Sequence, residues 1–321
     1  MTKPISRRRL ALLGLLLAAG QVSAAALDDT LTLVVGYAPG GTSDRIARLV
    51  AEKLRPKLGV SVIVENRTGA GGRIAAQVVK RATANQNVLM LANPAVMVVA
   101  PLVFKDAGYD PDKDFVPVSN VGDYQFAVAV SREVPVRELS HLVAWLKANP
   151  EKANFGVPAS GSLPHFFGLM LGDAVGVKPE IISYRGSALL VGDLVGGQLP
   201  VAIDTLDSVY PQHVAGKLRI LAMSGTQRAS YAKDIPTFKE AGFNIAATGW
   251  NAFFAPRSMP AAKVQLLGQA IREVMQDPAM RASFESIQLS PVASTPAETA
   301  GMLKAFRAQW QPVVQRSGFE P

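Results

Sequence analysis

Residues 31–76 read LTLVVGYAPGGTSDRIARLVAEKLRPKLGVSVIVENRTGAGGRIAA. The apolar run from Leu31 to Tyr37 has the composition of a buried strand. Pro39-Gly40-Gly41-Thr42-Ser43-Asp44 follows, and the amphipathic pattern of a helix begins at once. A glycine-rich turn between strand and helix leaves the first helical N–H groups free, and the helix dipole favours negative charge beside them. Tyr37, Gly40, Gly41 and Thr42 therefore read as an anion seat. A branched side chain at Gly41 would fill that seat and forbid the positive φ that glycine permits. Tyr37, the last strand residue, fits a core position and a cleft wall equally. Asp44 reads first as a stabiliser of the helix's opening turn and second as a ligand contact.

Downstream, short β-branched runs such as Val60–Glu65, Val88–Leu91, Ala153–Val157 and Val201–Asp204 alternate with helical patterns such as Arg73–Ala82, Pro164–Ala174 and Ser187–Gly196. That alternation predicts an α/β fold with mostly parallel sheets. The length favours two lobes over one core. Val116–Ser131 reads as two strands broken by Gly122-Asp123-Tyr124-Gln125, long enough to pass between lobes. The helical segments from Pro260 onward are expected to return to the first lobe. The predicted division is 27–123 with 250–321 as one lobe and 124–249 as the other.

Residues 1–26 read as an export leader. Lys3, Arg7, Arg8 and Arg9 form a basic start, Leu10 to Ala19 an apolar stretch, and Val22-Ser23-Ala24 or Ala24-Ala25-Ala26 a cleavage site. The general secretory route is expected, with the twin-arginine route as the alternative, and the mature protein is expected in the periplasm. Without the leader's four basic residues, 29 basic face 25 acidic residues, a net charge of +4. No basic run in the body is longer than Lys80-Arg81, so nucleic acid loses its footing as a partner. The chain contains no cysteine, which excludes disulfides, thiolate metal sites and a nucleophilic thiol.

Two further turns share the chemistry of the first. In Gly156 to His165, Ser160, Gly161, Ser162 and His165 are candidates, although Ser162 is also a natural N-cap with Pro164 suiting the first helical turn. Tyr184-Arg185-Gly186-Ser187 repeats strand, glycine, cap and helix; Tyr184, Gly186 and Ser187 are candidates there. Asp204 ends a fourth strand and could face the same space, since ligands of open α/β sheets sit at the carboxyl ends of strands. Enzyme signatures fail. Gly69-Ala70-Gly71-Gly72-Arg73-Ile74 starts like a dinucleotide turn but places Ile74 where a third small residue belongs. No G-x-S-x-G elbow supports a hydrolase built on Ser162, His165 and Asp204. Three scattered histidines give no metal-ligand spacing, so no metal or other cofactor is expected.

The ordered motifs Tyr37-Ala38-Pro39-Gly40-Gly41-Thr42-Ser43-Asp44, Val64-Glu65-Asn66-Arg67-Thr68-Gly69-Ala70-Gly71-Gly72, Tyr109-Asp110-Pro111, Gly161-Ser162 with His165, Tyr184-Arg185-Gly186, Leu194-Val195-Gly196-Gly197-Gln198, and Asp234-Ile235-Pro236-Thr237 span nearly the whole chain after the leader. Together they resemble the solute receptors of tripartite tricarboxylate transporters, also called Bug-type receptors. The resemblance implies a periplasmic-binding-protein-like fold (type II) that closes on a small carboxylate held largely by backbone N–H groups and hydroxyls. It also implies a monomer that meets membrane transporter subunits transiently. Asn93 joins the candidate set because the loop after the third strand lies next to the ligand in such receptors. Two departures stand out. Pro94 removes a donor and Val96-Met97 are apolar in that loop, and Arg185 replaces the usual lysine. A monocarboxylate with an apolar or aromatic body thus stands beside di- and tricarboxylates. A sensor component presenting its ligand to a membrane kinase, and an exported serine hydrolase, are the alternative readings.

Overall fold

The computed structural model describes Leu27 and Thr30–Glu320; the leader expected over 1–26 lies outside the described residues. Strands β1 (Leu31–Val35), β2 (Val62–Asn66) and β3 (Val88–Ala92) are parallel, with β1 in the middle. Helix α1 (Thr42–Leu58) follows the first turn and α2 (Arg73–Lys80) follows a 3₁₀ turn at Ala70–Gly72. The two-residue period of β1 sorts its side chains between layers. Leu31, Leu33 and Val35 pack with Ile46, Val50 and Leu54 of α1, whereas Val34 joins Ala75, Ala76 and Val79 of α2. Both faces of the sheet are therefore covered, as a parallel sheet requires.

A π-helical turn (Ala95–Val99) runs into α3 (Ala100–Val103), and α4 (Pro111–Asp114) leads into β4 (Phe115–Ser131). The break expected within this segment does not occur: β4 is continuous over 17 residues. Its first part lies antiparallel to β9 (Thr248–Pro256), from Phe115 opposite Pro256 to Gln125 opposite Thr248. Two register shifts absorb the irregular sequence instead. Beyond Gln125 the same strand pairs with β7 (Val201–Thr205) and β8 (Leu218–Met223).

The second half of the sheet adds β5 (Asn154–Val157), parallel to both β7 and β6 (Glu180–Ser183). Its covering helices are α5 (Leu139–Ala148), α6 (Leu163–Val175), α7 (Ser187–Val195) and α8 (Leu206–Val214). Phe126, Val128 and Val130 of β4 face Phe166 and Phe167 of α6, while Ala127 and Ala129 face Leu190 and Leu194 of α7. The strand order is β2-β1-β3-β9-β4-β7-β5-β6. Parallel pairs thus build each flank, and the antiparallel strands β4 and β9 run between them. At their crossing Gly249 lies opposite Tyr124, and a Cβ on Gly249 would sit 2.0 Å from the Tyr124 ring.

After β9 come α9 (Ala261–Gln276), α10 (Pro278–Ser286), the short β10 (Ser290–Pro291) and α11 (Pro296–Arg316). A Thr295–Glu298 capping box starts α11. This last helix packs on β4 and also on α6, so it reaches further than the expected return to the first lobe. Trp310 meets Phe126 at 6.1 Å between centroids, and Phe319, just beyond the helix, lies edge-on to Phe166. Among the described residues no helix is long and apolar enough to cross a membrane.

Candidate functional site

The first turn is set by two backbones in contact. A Cβ on Gly36 would lie 2.8 Å from Gly72 Cα, so the loops after β1 and β2 touch only with glycine at 36, while Gly72 is held to glycine by its φ of 92° and by Val96, 2.7 Å from where its Cβ would sit. Tyr37 then donates its hydroxyl to Asn93 Oδ1 at 3.0 Å, and the same oxygen accepts the Ala95 N–H at 3.1 Å. Two candidates from separate loops are thereby joined. Burial pushes the Tyr37 phenol up to about 12, partly offset by the Asn93 bond, so it stays a donor.

The glycine amides are not the free donors expected. Gly40, the residue with positive φ (84°), gives its N–H to Asp44 Oδ2 at 2.8 Å. Gly41 has an ordinary φ of −70° and gives its N–H to Ala38 O at 3.3 Å. Asp44 also accepts from Arg48 Nε and Asn66 Nδ2, both at 2.9 Å. Burial alone would raise this carboxyl, but those three donors and the Arg48 charge hold it at about 2. The protein's own carboxylate thus occupies part of the seat. No side chain caps α1 itself, leaving the amides of its first turn as donors.

The second turn closes on itself. Ser162 Oγ donates to Ala159 O at 2.7 Å and accepts the His165 N–H at 3.3 Å. His165 Nδ1 accepts the Gly161 N–H at 2.9 Å, which puts the imidazole proton on Nε2. The His165 ring stacks on Phe166 at 5.1 Å and meets Phe319 edge-on, and burial lowers its pKa. Phe319 also covers Gly161, whose added Cβ would lie 2.9 Å from that ring. Ser160 is exposed. Ser162, His165 and Asp204 do not form a triad: neither ring nitrogen bonds Ser162, and Asp204 bonds Ser187 instead.

In the third turn Gly186 (φ 108°) gives its N–H to Pro158 O at 2.8 Å, tying it to the second turn. The Tyr184 hydroxyl donates to Asp193 Oδ2 at 2.9 Å. Ser187 and Asp204 do come together through a side-chain hydrogen bond. Asp204 is 1% exposed. Its Oδ1 accepts the Thr205 N–H at 2.7 Å, while Oδ2 is buried without a hydrogen-bond partner. Burial, aided by the nearby Asp207 charge and only partly offset by Ser187 and Thr205, pushes this carboxyl up to about 7.

Three residues missed in the sequence complete the cluster. Asp207, in the first turn of α8, accepts the Thr42 hydroxyl at 3.2 Å, a contact 165 residues apart in sequence. Burial raises its pKa, with the Thr205 and Thr42 hydroxyls and the Arg45 charge acting in the opposite direction. Arg45, one turn along α1 from Thr42, has a buried Nε without a hydrogen-bond partner. Burial raises the Tyr124 phenol, with the charges of Tyr37, Asp207 and Asp123 adding to it, and its ring lies against Gly249 and edge-on to Phe126. Thr42 and Arg45 of α1 thus meet Asp207 of α8, which neighbours Asp204 and its partner Ser187. Thr42 and Arg45 share a face of α1 (i, i+3), which was readable; their pairing with Asp207 was not.

Comparison with known proteins agrees with this architecture. The model of the tripartite tricarboxylate transporter family receptor matches residues 46–319. Protein BugT of Bordetella pertussis is 30% identical over 318 residues, covering 97% of this chain and 98% of that protein. Among solved structures, Rpa4515 of Rhodopseudomonas palustris with adipate superposes with a TM-score of 0.83 at 29% identity, covering 92% of this chain and 99% of that one. MatC of the same organism with bound malate gives 0.77 at 26% identity, covering 89% and 99%. The fold is that of a two-lobed periplasmic binding protein, and the chain belongs to the tripartite tricarboxylate transporter receptor family.

Proposed function

We propose that this protein is an exported, non-enzymatic receptor that closes two lobes, 27–123 with 250–321 and 124–249, on a small organic carboxylate. It then delivers the solute to the membrane subunits of a tripartite transporter and works as a monomer. The observation that carries this reading is the Thr42–Asp207 hydrogen bond between α1 and α8, together with the buried, unpartnered Arg45 Nε on α1 and Asp204 Oδ2 at the end of β7. Such atoms cost free energy until something pairs with them. The adipate and malate bound by the two relatives support a carboxylate as that partner. The His165 imidazole pairs with the Gly161 amide and the Ser162 hydroxyl donates to Ala159 O, an arrangement that supports binding over hydrolysis.

The test is thermal unfolding against a panel of small mono-, di- and amino-carboxylates, with sugars as controls. At a hundred times Kd a ligand is expected to add about 2.7 kcal/mol, a clear rise in Tm. A panel in which sugars shift Tm and no carboxylate does would overturn the reading. Export has its own check: protein recovered from the periplasm is expected to begin near Ala25 or Leu27, and an intact Met1 there would contradict the leader.

A further inference from the structure

We infer that the solute is a zwitterion, a carboxylic acid that also carries a protonated amine, with the amine seated at Asp204 and Asp207 and the carboxylate at Arg45 and the start of α1. This rests on the receptor reading above and narrows it. Asp204 is 1% exposed, and one of its oxygens has no donor. The Thr205 amide bonds the other oxygen, Oδ1, and the Ser187 hydroxyl is the one further group that bonds this carboxyl, so the hydrogen-bonding neighbours of Asp204 are neutral. Asp207 stands three residues on, close enough for its charge to act on Asp204. A buried carboxylate pair of this kind takes a hydrogen-bond-donating cation far more readily than a second anion.

The opposite wall has the complementary sign. Arg45 Nε is buried and unpartnered, and α1 begins without a side-chain cap. Both are donors aimed at negative charge. The Thr42–Asp207 hydrogen bond shows that the two walls lie within one small molecule's length of each other. A plain dicarboxylate would satisfy Arg45 and α1 but would bring its second carboxylate toward Asp207 and leave the Asp204 oxygen orphaned. An amino-carboxylate satisfies both walls at once.

The experiment is calorimetric titration at pH 7.5 with pairs that differ only in the amine: glutamate against glutarate, 4-aminobutanoate against butanoate, and phenylalanine against 3-phenylpropanoate. The expected result is at least one pair in which the amine-bearing member binds ten-fold or more tightly than its partner. D204N and D207N should each cut that ratio to about three or below, whereas R45Q should weaken both members alike. Two carboxylate variants are used so that one failing to fold, as judged by circular dichroism, leaves the other. If the deaminated members bind as tightly or more tightly throughout, a protonated Asp204 donating to a plain carboxylate describes the site and the zwitterion is wrong. If neither member of any pair binds while sugars do, the receptor reading itself falls and takes this inference with it.

Discussion

Asp44→Ala is expected to lower folding stability by about 3 kcal/mol at pH 7, near the bottom of the range for removing one partner of a buried ion pair. The low end applies because the Arg48 side chain is 54% exposed and recovers water when its partner goes. Most of the loss comes from the other donors. The Gly40 amide and the Asn66 side chain both converge on this carboxylate, and although Asn66 keeps its second bond to Tyr37 O, the Gly40 amide has no other acceptor in the turn. Asp44→Asn should lose less, since its remaining oxygen can still serve one donor. The pH dependence has a definite sign. A carboxyl held at about 2 in the folded protein contributes stability that is complete above its unfolded value near 4 and disappears as pH falls towards 2. The gap between wild type and Asp44→Ala in urea unfolding should therefore close in strong acid. A gap below about 1 kcal/mol at pH 7 would mean that the turn holds its shape without Asp44.

Asp204→Asn is expected to do the reverse and stabilise the ligand-free protein at pH 8, by about 2–4 kcal/mol. Here the folded carboxyl titrates at about 7, above its unfolded value. The folded state then binds more protons than the unfolded chain, so stability declines as pH rises from about 4 to 7 and stays low beyond. Asparagine removes the charge while keeping an oxygen for the Thr205 amide. Urea unfolding across that range should show a slope in wild type that flattens in the variant, with the two coinciding near pH 4. Equal slopes would place the ionised Asp204 in a solvated setting and contradict its burial.

The fold was legible because each strand carries its own record of burial. In β1, Leu31, Leu33 and Val35 point to one layer and Val34 to the other, and a short apolar run of that kind ending in a glycine turn announces a covered parallel strand. The Ser162 cap was equally plain. What stayed hidden depended on partners far along the chain. Gly122 to Gln125 look like a break until Asn251 to Thr248 supply their pairing. Asp44 was visible as an acid in a first turn, but its reach back to the Gly40 amide requires the turn's shape. Helix α8 was overlooked because Pro211 interrupts its pattern, and with it went Asp207. Tyr184 is a different case: the residue that takes its hydroxyl, Asp193, lies on the next helix with no sequence mark of that role.

The paired strands β4 and β9 have a mechanical consequence. A two-stranded ribbon can bend, but it cannot slide, since a one-residue slip would turn every side chain to the wrong face. The Tyr124 ring lying over Gly249 blocks the same slip sterically. The β4–β9 pairing therefore favours bending near Gln125 and Thr248 over sliding.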